Sequence, residues 1–319
     1  MEERKRPDPE GDDVLIRIAG CGVCGTDVHI FRGEYIGSYP ITPGHEFSGS
    51  VEAVGPKVVS VAPGDRVAVE PNLSCGKCEA CLNNKQNFCE HWQGVGVTLP
   101  GGMAEYAVAP ESAVFDIGEL SFEAAAFMEP LSCVLHGVGK LTLTPGAQVA
   151  IIGAGPIGIQ LLRVLRALGA GKIVVVDQNE DRLAVAGNDG AAALYTDVEE
   201  LPKDRFDLVV EATGVPALVP NALDAAGYGG EVLLFGVSPQ AVSTEIEPFT
   251  LFRKGLSIHG SYTSKRNSYQ ALELLATGRV QVEDLISHRL PLDRFEGGVS
   301  LIESGAESVM KVMMIPDYV

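Results

Sequence analysis

The chain lacks any uninterrupted apolar run of about 18 residues, the length a bilayer-spanning helix requires. Its start, "MEERKRPDPEGDD", is charged and has no apolar h-region, so no secretory leader is expected and the cytoplasm is the expected compartment. Basic residues are scarce, 24 against 42 acidic ones, and a net charge of −18 repels nucleic acid and anionic membrane alike. The expected partner is therefore a small molecule, and the acidic surface is a solvated one. Internal repeats and low-complexity segments are also missing. A globular chain remains, 319 residues long and 46% hydrophobic, which suits two domains better than one core.

The texture changes along the chain. Over roughly the first 125 residues, short apolar runs alternate with Gly/Pro turns. "VLIRIAG" (14–20), "FSGSVEAVG" (47–55), "DRVAVEP" (65–71) and "MAEYAVAP" (103–110) read as strands of a β-rich, barrel-like domain. From about residue 146, continuous apolar strands alternate with amphipathic helices. "AQVAIIGAG", "KIVVVD", "FDLVVEATG" and "GEVLLFGV" are the strands; "PIGIQLLRVLRALGA", "QNEDRLAVAGNDGA" and "VPALVPNALDAA" are the helices. That alternation predicts an α/β, doubly wound parallel sheet covered on both faces. Beyond residue 264, "SYQALELLATG" reads as a helix and "SVMKVMMIP" as a closing strand. The expected domains are 1–129, with a metal-bearing lobe at 71–91, then 130–263, then a return of 264–319 to the first domain.

"IIGAGPIG" holds Gly153, Gly155 and Gly158 in a G-x-G-x-x-G arrangement between a strand and a helix. The first glycine permits the tight turn, and the second lets the backbone approach a pyrophosphate. The third permits close helix–strand packing, with Pro156 and Ile157 opening the helix whose N-terminus faces the phosphates. The next strand ends in Asp177, 19 residues after Gly158, where a carboxylate accepts the adenosine-ribose hydroxyls and repels a 2′-phosphate. NAD is thus favoured over NADP. Arg182 follows one helical turn later, as a cofactor contact or a surface ion pair.

Seven cysteines in a reducing compartment suggest metal thiolates where they cluster. Cys75, Cys78, Cys81 and Cys89 follow a C-x2-C-x2-C-x7-C spacing, suited to the closed tetrahedral site of structural Zn2+. An iron–sulfur cluster or a redox pair are the alternatives, but the former prefers a proline where Glu90 stands. A second group comprises Cys24, His45 and Glu46, with Thr26 and His29 nearby, whereas Cys21 reads as a buried apolar residue. In "MEPLSCVLH" (128–136), Met128, Glu129, Cys133 and His136 all carry donor atoms.

"GCGVCGTDVH", "PGHEFSGSVEAVG", "GDRVAVEP", the four-cysteine lobe, "GGMAEYAV", "GAGPIG", "VVEATG" and "SHRLPL" occur in one order along the chain. By these motifs the whole chain resembles the zinc-containing medium-chain alcohol dehydrogenases, and in particular their polyol (sorbitol-like) branch. The resemblance implies a GroES-like catalytic domain, a Rossmann coenzyme domain and a cleft between them. It also implies a third zinc ligand in "MEPLSCVLH". Many relatives use a cysteine there, while the polyol branch uses the Glu of "EP", which is Glu129. With Glu46 reaching the metal directly or through water, the implied ligand set is Cys24, His45, Glu129 and Glu46. Met128 is left to packing, and Pro130 starts a helix that buries Cys133. Relatives usually carry a longer N-terminus with a first strand.

In that family a catalytic Zn2+ lowers the pKa of the substrate hydroxyl, and hydride passes to the nicotinamide. Thr26 is implied as acceptor of the alcohol's hydrogen bond and His29 as the next relay group, although His29 also reads as a surface histidine. Val237, Ser261 and Tyr262 are implied beside the nicotinamide and substrate. Tyr262 stands where sorbitol-type enzymes carry Arg. The expected reaction is oxidation of a polyol, sugar alcohol or cyclitol to a ketone by a dimer or tetramer. The alternatives are threonine or simple-alcohol oxidation, or a non-catalytic NAD-binding protein.

Overall fold

The computed structural model describes residues 2–34, 36–37, 39–305 and 309–316. The chain divides into two compact units, Met1–Ser132 with Thr263–Val319, and Cys133–Tyr262.

The first unit is built on a seven-stranded sheet. Its spatial order is Ile286–Pro291, Lys311–Ile315, Asp13–Val23, Glu46–Val54, Arg66–Val69 and Val114–Asp116, with Tyr106–Pro110 also pairing to Asp13–Val23. Asp13–Val23 is the organising strand. One edge pairs along its length with Glu46–Val54; the other pairs first with Tyr106–Pro110 and then, from Cys21, with Lys311–Ile315. Val14, Ile16 and Ile18 project to one face at the period of two that a strand imposes, and pack on Phe47, Val51, Val67 and Val69. A register shift between Ile18 and Gly20 follows, just before the chain reaches the candidate ligands. The closing strand expected in "SVMKVMMIP" is Lys311–Ile315; Ser308 of that stretch lies outside the described residues.

A buried carboxylate fastens the segment that re-enters this unit. Glu70 accepts hydrogen bonds from Ser264 Oγ (2.9 Å), Ser268 Oγ (2.8 Å) and Asn72 Nδ2 (2.8 Å), so residues almost 200 positions apart share one anchor. Three donors on one buried charge offset the desolvation it suffers.

The second unit is a six-stranded parallel sheet ordered Ala193–Tyr195, Ile173–Val176, Val149–Ile152, Phe206–Glu211, Ala226–Leu234 and Ser257–Gly260. Numbered along the chain, this is the 3-2-1-4-5-6 order of the doubly wound dinucleotide fold. Helices Pro156–Ala167, Glu180–Asn188 and Val219–Ala225 form the crossovers. The inner strands Val149–Ile152 and Ile173–Val176 are apolar throughout because helices cover the sheet: Val149, Ala150 and Ile151 are wholly buried.

Candidate functional site

Two groups of potential metal ligands stand out among the described residues. The sulfurs of Cys75, Cys78, Cys81 and Cys89 lie within 4.8 Å of one another, on a loop closed at its base by the two-residue strands Asn72–Leu73 and Gln93–Gly94. Backbone amides are aimed at these sulfurs: Cys75 N and His91 N each donate to Cys89 Sγ at 3.3 Å, and Cys78 N donates to Cys75 Sγ at 3.3 Å. Amides of Cys81 and Glu90 pull the Cys78 thiol down to about 6, while burial pushes Cys81 up to about 11. Leu82 and Phe88 of the lobe are exposed, so it has little core of its own. Four thiols in mutual contact, with amides to support their anionic form, suit a closed tetrahedral Zn2+ site.

The second group assembles from sequence-distant segments. Cys24 follows strand Asp13–Val23 and caps helix Gly25–Phe31; His45 immediately precedes, and Glu46 begins, strand Glu46–Val54 on the adjacent edge. Their ligand atoms also lie within 4.8 Å of one another. One thiol, one imidazole and one carboxylate are a donor set that suits Zn2+ with room for further ligands. Asp27, wholly buried, joins the segments: its carboxylate accepts from Cys24 N (2.8 Å) and Gly44 N (3.1 Å) and stands 3.4 Å from His45 Nδ1. Burial opposes a charge on His45, yet Asp27 and Cys24 outweigh it and hold the imidazole pKa well above the ordinary 6.5. The same fixed carboxylate orients the ring for ligation.

Glu46 has a partner that its sequence neighbourhood does not disclose. Lys311 Nζ lies 2.9 and 2.6 Å from its two carboxylate oxygens, and both side chains are buried. Burial works against the lysine's charge, but Glu46 and Cys24 overcome it and raise its pKa above 10.5.

Glu129 is buried in the first turn of helix Met128–Val138 but does not belong to the Cys24–His45–Glu46 trio. Met128 is almost fully buried, as packing requires. Pro130 lies third in that helix rather than at its start, and Cys133 is half-buried rather than buried, a correction to the expectation drawn from Pro130. Cys21 is fully buried, and desolvation raises its thiol well above its ordinary value. On helix Gly25–Phe31, Thr26 is half-buried, while His29 is exposed and pairs with Glu34 at 3.3 Å.

In the second unit, the residues singled out for the coenzyme gather at the carboxyl ends of the parallel strands, where open α/β sheets bind ligands. Gly153 follows Val149–Ile152 with φ +106°, a conformation L side chains rarely adopt. A Cβ at Gly158 would collide with the Gly153 carbonyl, so the helix can approach the turn only because that residue is glycine. Gly155 caps helix Pro156–Ala167, with Pro156 at its first position and Ile157 next. Asp177, after Ile173–Val176, accepts from Ala154 N (2.6 Å) and Asn179 N (2.9 Å), which fixes it beside the glycine turn. Arg182 lies half-buried in helix Glu180–Asn188. Val237 and Ser261 follow Ala226–Leu234 and Ser257–Gly260, and Val237 and Tyr262 are exposed. Glu211, unnoticed in the sequence, shapes a neighbouring turn by accepting from Thr213 N (2.7 Å), Gly214 N (3.1 Å) and the Thr213 hydroxyl.

Comparison with known proteins adds the family. Residues 10–119 match the alcohol dehydrogenase GroES-like domain, and residues 156–277 match the zinc-binding dehydrogenase domain. D-arabinitol dehydrogenase 1 from Uromyces fabae is 33% identical over 96% of this chain and 90% of that protein. The chain belongs to the zinc-binding alcohol dehydrogenase family. D-altritol 5-dehydrogenase from Agrobacterium fabrum is 36% identical over 87% of this chain and 85% of its own length. A zinc-binding dehydrogenase structure from Sinorhizobium meliloti 1021, bound to NADP, shares 35% identity and a TM-score of 0.94 over 98% of this chain and 94% of that one. The protein is accordingly an NAD(P)-dependent zinc dehydrogenase of the alcohol and polyol class, with a GroES-like domain and a Rossmann-type sheet. No described helix is long and apolar enough to cross a membrane.

Proposed function

We propose that this chain oxidises a secondary hydroxyl of a polyol, sugar alcohol or cyclitol to a ketone, with NAD as hydride acceptor. The observation that carries the reading is the convergence of Cys24, His45 and Glu46 on one buried point, with Asp27 holding two of the contributing segments together. Glu129 is the proposed third permanent ligand, with Glu46 exchanging for water or substrate. The similarity to D-arabinitol and D-altritol dehydrogenases supports a polyhydroxylated substrate.

When bound, zinc supplies Lewis-acid polarisation of the alcohol oxygen, and NAD supplies the hydride acceptor. Thr26, two residues past Cys24, accepts the hydrogen bond of the substrate hydroxyl. His29, three residues later and exposed, passes the proton towards solvent. Asp177 receives the ribose hydroxyls and disfavours a 2′-phosphate, while Gly153, Gly155 and the start of helix Pro156–Ala167 receive the pyrophosphate. Arg182, Val237, Ser261 and Tyr262 complete the proposed coenzyme and substrate contacts. The tetracysteine lobe holds a second, structural zinc.

The domain limits proposed from sequence, 1–129, 130–263 and 264–319, follow the same assignment of roles. A homo-oligomer is supported by the edge strand Ser257–Gly260 and by helix Pro248–Lys254, which precedes it in the chain and whose Phe249 and Phe252 are exposed. Five cysteines in two ligand groups, with buried Cys21 and half-buried Cys133 outside them, fit a reducing cytoplasm.

The test is a panel of polyols, cyclitols, threonine and short alcohols, read by NADH absorbance alongside metal content. Turnover confined to vicinal polyols in a two-zinc protein is the expected result; threonine as the sole substrate would overturn it. Glu129→Ala is expected to drop the metal content from about two per chain towards one. Retention of both metals would remove Glu129 from the ligand set.

A further inference from the structure

Residues 41–45 belong to no helix or strand, so no ladder fixes the backbone that delivers His45 to the Cys24 site. One support is Asp27, whose Oδ1 accepts from Gly44 N at 3.1 Å. A second comes from the glycine pair that opens "GGMAEYAV". Gly101 N donates to Thr42 O (2.8 Å), Gly102 N to Gly44 O (2.8 Å) and Met103 N to Pro43 O (3.0 Å), so three consecutive amides hold three consecutive carbonyls. The approach is closer than side chains allow. A Cβ at Gly101 would collide with the Gly44 carbonyl oxygen. One at Gly96, in the same buried turn, would collide with that oxygen and press on His45 N. Gly44 and Gly96 also need glycine for their positive φ, +101° and +81°, whereas at Gly101 the requirement is space alone.

We propose that Gly101 is a positioning residue for His45: through it the turn 96–103 sets the main chain of Pro43 and Gly44, and so the place of the imidazole at the Cys24 metal site. The inference rests on the metal-site reading above. A ligand has to be held within about 0.5 Å of its productive position, and His45 has no regular structure before it to do so. Backbone packed on backbone is a hard stop, because neither side has a rotamer with which to absorb a shift. A methyl group at Gly101 therefore displaces the Gly44 carbonyl itself, in the residue next to His45. Asp27 cannot compensate, since its bond to Gly44 N is drawn along by the same movement. The turn thus acts on the ligand without touching the metal, as an outer support does.

The test uses full-length protein with zinc kept in the tetracysteine lobe, and titrates Co2+ into the second site well below the melting temperature while following its visible absorption. Gly101→Ala is expected to weaken Co2+ binding at least about tenfold, the usual cost of losing a residue that orients a ligand. Gly171→Ala is the matched control. There too a Cβ would meet a carbonyl oxygen, that of Gly146, without a positive φ, but in the second unit. It should lower the melting temperature and leave Co2+ affinity as in the parent. The parent supplies an independent readout in hydrogen exchange. Co2+ should slow exchange at Gly102 N and Met103 N more than at Val51 N, which donates to Asp65 O in the same unit, because a fixed His45 holds the carbonyls that the first two amides reach. Unchanged Co2+ affinity in Gly101→Ala, or an equal loss in Gly171→Ala, overturns the proposal. If Gly101→Ala does not fold, the exchange decides: protection at Gly102 and Met103 no greater than at Val51 overturns it. If the parent's Co2+ band survives Cys24→Ser, it is the metal-site reading that fails; if the band depends on Cys24 but ignores Gly101, only the present inference fails.

Discussion

The two ligand groups solve the same coordination problem in opposite ways. The tetracysteine lobe draws four sulfurs from fifteen consecutive residues, has exposed apolar side chains and is supported mainly by backbone amides. The Cys24–His45–Glu46 group draws mixed donors from two strands, is ringed by buried Asp27 and Lys311, and shares its sheet with the core. A closed set of four thiolates leaves a metal no free position and suits it to hold a lobe together. A mixed set with its charges balanced by neighbours suits exchange at the metal. On the roles proposed above, the difference teaches that the supporting groups, as much as the ligands, separate a fastening from a reacting centre.

The comparison breaks most visibly if one cysteine is removed from each side. Cys24→Ser is expected to lower turnover on the order of a thousandfold or more, because it removes a ligand of the metal proposed to lower the alcohol's pKa. The fold and NAD binding should persist. Cys75→Ser should do the reverse: the melting temperature falls by about 10 °C, as a loss of several kcal/mol implies, while surviving folded protein keeps its kcat. Thermal unfolding and metal analysis of both variants decide the matter. If Cys75→Ser lost activity without losing stability, the two roles would have to be exchanged.

A finer test addresses the support rather than the ligands. Asp27→Asn keeps the shape but removes the charge beside His45 and weakens the acceptor of two backbone amides. Metal affinity at the Cys24 site should fall about 10- to 100-fold, the usual cost of losing such a partner, with the lobe metal unaffected. Equal loss from both sites would show that Asp27 only supports the fold.

How much of this was legible in the sequence follows the same divide between local and distant. The glycine turn, Asp177 and the tetracysteine lobe are encoded within short windows, and the doubly wound sheet follows from the alternation of apolar strands and helices. Asp27 lay within "GCGVCGTDVH", and its carboxylate at the third position of the helix begun by Cys24 was the available signal for a cap. Lys311 gave none: nothing in "SVMKVMMIP" says that this lysine is buried, because its partner lies 265 residues away. Helix Phe295–Ser304 was also invisible, since Gly297 and Gly298 weaken its propensity. The reason lies in packing, for a Cβ at Gly298 would press on Val312 at 3.3 Å. Pro130 misled through too literal a use of its preference for a helix's first position.

The smallest expected effect, in the second unit, sharpens what a carboxylate does when it has two duties. Asp177 holds the glycine turn through Ala154 N and Asn179 N, and it is also the proposed discriminator between NAD and NADP. A similar structure binds NADP, so selectivity here has to be measured on this chain. Asp177→Asn separates the duties. The amide oxygen can still accept one backbone hydrogen bond, so the turn and the melting temperature should change little. Repulsion of a 2′-phosphate disappears with the charge, and the ratio of kcat/KM for NADP to that for NAD should rise about tenfold, or 1.4 kcal/mol. Asp177→Ala removes the acceptor as well and should add a higher KM for both coenzymes. If the ratio stays fixed in Asp177→Asn while stability drops, Asp177 serves the turn alone, and coenzyme choice must be sought elsewhere along the strand ends, beginning with Arg182.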